Sequence, residues 1–209
     1  MSEAAILTGA SSGLGLEIAR LLRNRGLAVV GVSRRPSEFT TIEGDAAHVA
    51  TAKAAIDAAY ERGPLRLLVN CAGLGIYGPA GSYDETKIRQ LLDANLVATI
   101  VFCDAVYPRM RDAGAGTIVN VLSTAAIVGK PNETVYCAAK WGARGYTDAL
   151  RNEAKGSGVR VIAAAPGGMR TPFWPNDRPE LMDARDVAKV IVDNVFAPVP
   201  VTELVIQRG

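Results

Sequence analysis

Short apolar runs alternate with longer amphipathic ones along this chain, and that alternation leaves few architectures open to it. The runs at 4–8, 27–32, 65–70, 117–122, 159–164 and 203–206 are short, rich in branched side chains and bounded by Gly, Pro or polar residues, as strands are. Several are apolar at every position, which suits parallel strands covered by helices on both faces. Windows near 14–25, 47–62, 84–111, 133–156 and 185–196 read as helices. "AIDAAYER" and "KIRQLLDANL" carry the 3.6-residue spacing, and "DARDVAKVIVDNV" opens with acids where a helix start favours them. Strand alternating with helix predicts an α/β fold, a doubly wound parallel sheet with right-handed crossovers. The link from Ser33 to Asp45 is too short for a helix followed by a strand. It predicts a short loop and a brief strand near 40–43, the seventh of the sheet.

Composition narrows the rest. With 209 residues, 49% of them hydrophobic, the chain can bury one core and is too short for two comfortable domains, so one domain is expected over 1–209. Net charge is +2, from 23 basic and 21 acidic residues, which gives no electrostatic reason to expect nucleic acid or an anionic membrane. The longest uncharged run, 113–129, is interrupted by Gly, Asn, Ser and Thr and falls short of a membrane span. No basic leader or cleavage pattern precedes the first apolar run. Cys71, Cys103 and Cys137 are an odd number at wide spacing, which suits buried fillers in a reducing cytoplasm. His48 is the only histidine, on a polar helix start, so neither a metal site nor a histidine-based triad is expected.

The chemistry-bearing motifs fall at the carboxyl ends of the strands, where doubly wound sheets hold their ligands. "TGASSGLG", 8–15, follows the first strand and opens the first helix. Gly9, Gly13 and Gly15 allow a tight turn and close approach of backbone, and the helix N-terminus offers N–H groups to a phosphate. The second strand ends in "GVSRRP". An acid in this position reads the ribose hydroxyls of NAD, whereas an arginine accommodates the 2′-phosphate of NADP. No acid lies between Val29 and Ser37, while Arg34 and Arg35 stand together. Forked guanidinium bonds to phosphate favour NADP over NAD. Further on, Tyr136 and Lys140 in "YCAAK" sit four apart on one helical face.

These motifs together resemble the short-chain dehydrogenase/reductase family, over nearly the whole chain from "TGASSGLG" to "PGGMRTPFW". "NCAG" at 70–73 stands for the family's Asn-Asn-Ala-Gly, followed in order by Asn95, "VNVLS" ending at Ser123, "YCAAK" and "PGG" at 166–168. Ser123 and Tyr136 are 136 − 123 = 13 residues apart, the family's separation. The resemblance implies a Rossmann-like sheet and an NADP-dependent oxidoreductase that interconverts a carbonyl and a secondary alcohol. Tyr136 would be the general acid or base, Ser123 would orient the substrate oxygen, and Asn95 would anchor a water in a proton relay. Lys140 would lower the tyrosine pKa and bind the nicotinamide ribose. At about 4 Å and an effective dielectric near 20 that attraction is about 4 kcal/mol before desolvation subtracts. Cofactor contacts carry over to Gly9, Ser11, Ser12, Gly13, Leu14, Gly15, Ser33, Arg34, Arg35, Asp45, Ala46, Asn70, Ala72, Gly73, Tyr136, Lys140, Pro166, Gly167 and Thr171. Cys71, in place of the second asparagine, touches local rigidity more than catalysis.

The substrate side is less determined. Leu74, Ile76, Tyr77, Thr124, Ile127, Thr134, Met169, Phe173 and Trp174 are candidates for an apolar, fairly open pocket under a short lid. Phe173 and Trp174 suit packing of the lid on the sheet equally well, and Arg170 reads as a solvated loop residue. The helices carrying Asn95 and Tyr136 pair in many relatives, and Gly142 and Gly145 leave room there, so a homodimer is expected. A non-catalytic dinucleotide-sensing module on the same fold is the alternative, since fold does not fix function.

Overall fold

The computed structural model describes residues 2–173, 176 and 178–208. Its strands are β1 (Ala4–Thr8), β2 (Ala28–Ser33), β3 (Thr40–Glu43), β4 (Leu65–Asn70), β5 (Gly116–Val121), β6 (Val159–Pro166), β7 (Met169–Arg170), β8 (Met182–Asp183) and β9 (Glu203–Ile206). Between them run α1 (Gly13–Asn24), α2 (Val49–Tyr60), α3 (Glu85–Leu92), α4 (Ala98–Asp112), α5 (Thr134–Glu153) and α6 (Ala184–Val195). Seven strands form one parallel sheet in the order β3-β2-β1-β4-β5-β6-β9, the Rossmann-like arrangement the alternation predicts. The chain winds outward from β1 to β3, returns to β4 and then winds the other way. The switch point therefore lies between β1 and β4, where ligand clefts form.

Strand parity divides the core into two layers. Ala5 and Leu7, with Leu67, Val69, Val119 and Ile162, face α1 and α6. Ala4 and Ile6, with Leu68, Ile118 and Val161, face α2 and α4. Alternate residues thus enter opposite cores, which is why these strands read as uninterrupted apolar runs.

Parallel neighbours normally need a crossover of about a dozen residues, yet only residues 34–39 separate β2 from β3. Register explains this. β3 begins opposite Gly31, near the carboxyl end of β2, so the link retraces little of the strand. It also needs Gly31 itself, because a Cβ there would lie 2.1 Å from the Phe39 carbonyl oxygen. The hydroxyls of Ser33, Ser37 and Thr40 tie the link together, Ser33 Oγ donating to Arg35 O at 2.6 Å.

The helix expected over 84–111 is continuous but not uniform. Asp93–Val97, between α3 and α4, is π-helical. Asn95 Nδ2 donates to Leu91 O at 3.0 Å and to Leu74 O at 2.7 Å, an insertion into the helical ladder of the kind that produces such bulges. By length and apolarity Glu85–Asp112 is the described helix long enough to cross a membrane. Its residues Phe102, Cys103, Val106 and Met110 face the protein core. The pairing of β7 with β8 at the base of the lid was not legible in sequence.

Candidate active site

The carboxyl end of β1 is bound to that of β4. Thr8 Oγ1 accepts hydrogen bonds from Cys71 N and Ala72 N at 3.1 and 3.0 Å. The loop after β1 then turns at Gly9, with φ +75°, where a Cβ would lie 2.9 Å from Ala72 N and Cys71 O. A Cβ on Gly15 would sit 2.2 Å from Gly9 O. Side chains at either position would push the loop and helix apart. The resulting cradle leads to the start of α1, which has no side-chain cap from Ser12 and no acid in its first turn. Such a terminus presents N–H groups and a positive dipole end to an anion. A dinucleotide phosphate fits this cradle.

A cleft of about 530 Å³ extends from that cradle across the switch point. Its walls include every residue expected to bind the cofactor or carry the chemistry except Asn70. The side chain of Asn70 is placed differently. It shares the parity of Leu68 and faces α4, so its side chain is buried, donating to Asn120 Oδ1 at 2.9 Å and to Cys103 Sγ at 3.3 Å. Asn120 passes the chain on to Thr147 Oγ1 at 2.9 Å, while Asn70 Oδ1 finds no partner among the described residues. Cys71, the next residue, lines the cleft instead.

At the rim, Arg34 and Arg35 are exposed and, among the described residues, make no ion pair. Glu38, the first acid after β2, is held by Arg20 at 2.8 Å and Arg23 at 3.7 Å. Asp45 uses one carboxylate oxygen to accept from Ala47 N at 2.9 Å.

At the other end, Asn95, Ser123, Tyr136 and Lys140 converge. Asn95 and Lys140 flank Gly73: a Cβ there would lie 3.0 Å from Asn95 Oδ1 and 3.9 Å from Lys140 Nζ. Lys140 Nζ donates to Val121 O at 3.1 Å and stands 5.9 Å from the centre of the Tyr136 ring. Ser123, whose hydroxyl accepts from Ala125 N at 3.1 Å, stands beside the Tyr136 phenol. The rings of Tyr77 and Phe173 stand 5.8 and 6.1 Å from that of Tyr136.

Burial dominates the ionisation of the Tyr–Lys pair. Burial pushes the Tyr136 phenol up, well above its ordinary value; the Ser123 hydrogen bond opposes this and Glu133 reinforces it. Lys140 does not counter it, because its ammonium is directed at the Val121 carbonyl and is itself buried. Burial brings Lys140 down to about 8, with Cys71 opposing, and pushes the Cys71 thiol up to about 12. Each group is driven toward its neutral form by the same dry corner.

On the substrate side Leu74, Tyr77, Met169 and Phe173 line the cleft, whereas Ile76, Thr124, Ile127 and Thr134 do not. Ile76 and Ile127 pack into small clusters, Thr124 is buried, and Thr134 is exposed. Trp174 lies outside the described residues. The wall is also less apolar than expected, for Lys130, Glu133 and Arg178 reach it. Glu133 was detectable in principle, being one helical turn before Tyr136. Arg170 is paired with Asp183 at 2.9 Å across β7 and β8. A Cβ on Gly142 would lie 3.1 Å from Leu96 of its own chain.

Comparison with known proteins agrees with this geometry. The short chain dehydrogenase family model matches residues 3–182. A 2-(R)-hydroxypropyl-CoM dehydrogenase from Xanthobacter autotrophicus is 35% identical over 204 residues, covering 88% of this chain and 82% of its own. A short chain dehydrogenase from Burkholderia cenocepacia, solved in complex with NADP, superposes with a TM-score of 0.87 at 27% identity, over all of this chain and 90% of that one. The 3-ketoacyl-(acyl-carrier-protein) reductase of Brucella melitensis, solved with NADH, gives 0.86 at 26% identity, covering 97% and 96%. This chain spans 62% to 88% of the length of curated relatives that it matches. The family match over most of the chain, joined to the sheet order and the cleft at its switch point, makes this protein a member of the short-chain dehydrogenase/reductase family of oxidoreductases.

Proposed function

We propose that the protein interconverts a carbonyl and a secondary alcohol with NADP(H) as cofactor. The observation that carries the reading is the convergence of Ser123, Tyr136, Lys140 and Asn95 on one cleft whose far end is the glycine loop with Arg34 and Arg35. The cofactor, when bound, supplies or accepts the hydride. Tyr136 holds the proton destined for the substrate oxygen, and its raised pKa keeps that proton in place at neutral pH, which suits donation during reduction. Ser123 Oγ, beside the phenol, places the substrate oxygen next to it and stabilises charge developing there. Lys140, with a pKa near 8, stays mostly charged at pH 7 and would hold the nicotinamide ribose. Asn95 fixes the segment at Leu74 against the π-helical turn and orders the relay side of Lys140.

Gly9, Ser11, Ser12, Gly13, Leu14 and Gly15 would cradle the pyrophosphate. Ser33, Arg34 and Arg35 would receive the 2′-phosphate, their neighbouring acid Glu38 being engaged elsewhere. Asp45 and Ala46 would border the adenine, Ala72 and Gly73 would pass under the ribose, and Pro166, Gly167 and Thr171 would border the nicotinamide. Attachment of the strands to one sheet supports a single domain, and three unpaired cysteines suit the cytoplasm. Gly145 and the half-exposed Trp141, both on the outer face of α5, support a homodimer.

Tyr136→Phe tests the reading. Turnover of ketones with NADPH should fall about 10²–10⁴-fold, the usual contribution of a general acid, while NADPH binding persists. Near wild-type turnover would overturn the assignment.

A further inference from the structure

One polar group in the cleft is used by neither the cofactor reading nor the chemistry. Glu133 precedes Tyr136 by one helical turn, so the two side chains leave the same face of the helix start. An acid here commonly caps its own helix, but the Glu133 side chain makes no such bond. It lines the cleft with Tyr77, Tyr136 and Phe173. Among the described residues no group donates a hydrogen bond to its carboxylate, and none forms an ion pair with it. Lys130, the nearest cation along the chain, gives its ammonium to Thr124 Oγ1 at 3.0 Å. Burial raises the Glu133 pKa, with Lys130 opposing, and the carboxylate acts electrostatically on both Tyr77 and Tyr136.

A partly desolvated carboxylate beside the reacting tyrosine favours ligands that give it a hydrogen bond and disfavours those that leave it bare. Building on the oxidoreductase reading above, we infer that the substrate bears a hydroxyl or ammonium group within a few bonds of the reacting carbon, and that Glu133 receives it. A plain apolar ketone would leave that carboxylate without a partner against the aromatic wall.

The test compares a plain ketone, its hydroxyketone analogue and its aminoketone analogue, by kcat/KM with NADPH and by direct binding to the NADP⁺-loaded protein. At least one donor-bearing ligand should surpass the plain ketone by about tenfold or more, as expected for hydrogen bonds to charged groups. Glu133→Leu should collapse that ratio. Glu133→Gln distinguishes the two donors, since its amide oxygen still accepts from a hydroxyl but no longer balances an ammonium charge. Tyr136→Phe should lose turnover yet keep the binding ratio. Equal preference for plain and donor-bearing ketones in the wild type, or a ratio unmoved by Glu133→Leu, overturns the inference. A binding preference that follows Glu133 without turnover of any ketone would instead sink the oxidoreductase reading and leave the donor site standing.

Discussion

Tyr136 and Lys140 are buried, Cys71 beside them is half-buried, and burial is the largest influence on the ionisation of each. The four-residue spacing of Tyr136 and Lys140 is plain in the sequence, but spacing says nothing about solvent, and it was solvent exclusion that decided the outcome. The side chain of Asn70 is turned away from the cleft for a different reason. Its motif suggested a ligand contact, whereas its parity with Leu68 assigns it to the α4 side. A consequence for stability follows. Lys140 is protonated in both native and unfolded states below about pH 8. Between pH 8 and its ordinary value of 10.5 the native state releases the proton and the unfolded chain keeps it, so native stability rises with pH. The full rise is about 3 kcal/mol at 1.36 kcal/mol per pKa unit. Lys140→Met should abolish it. Urea unfolding of both proteins at pH 7 and 9.5 would show wild type gaining about 2 kcal/mol relative to the variant over that interval. Parallel behaviour of the two would mean that the amine is solvated.

At the scale of elements, the proposed preference for NADP rests on the link between β2 and β3. Its shortness was legible, and so were the missing helix and the brief strand. The means were not, since they depend on β3 starting opposite Gly31 and on a backbone approach that only a glycine allows. Gly31→Ala should displace the link that carries Arg34 and Arg35. It should lower stability by about 1–3 kcal/mol, the usual range for overpacking, and weaken NADPH binding disproportionately. Thermal melts and a cofactor titration on the variant would show both effects; unaltered NADPH affinity would contradict the role assigned to the link. The π-helical turn at Asn95 and the β7–β8 pair were hidden for related reasons. The π-turn keeps the apolar periodicity of the helices around it, and two-residue strands have no periodicity to detect. Asn95→Ala removes both bonds to Leu74 and should cost about 1–3 kcal/mol in urea unfolding, because buried backbone groups would lose their partner.

Across the whole molecule, the alternation of strand and helix determined the sheet, and the sheet determined where the motifs meet. Residues far apart in the chain, Gly9, Ser123 and Thr171 among them, reach one cleft because they follow strands that end at the same edge, and Asn95 joins them from within its helix. The substrate wall was the least legible part. Lys130 and Arg178 come from loops, where no period marks which way a side chain points. The account as a whole stands on the cleft being a dinucleotide site of NADP type. Fluorescence titration of the purified protein with NADPH and with NADH tests this most directly. Tight binding of NADPH and markedly weaker binding of NADH is the predicted result. Failure of both to bind would contradict the account at its centre.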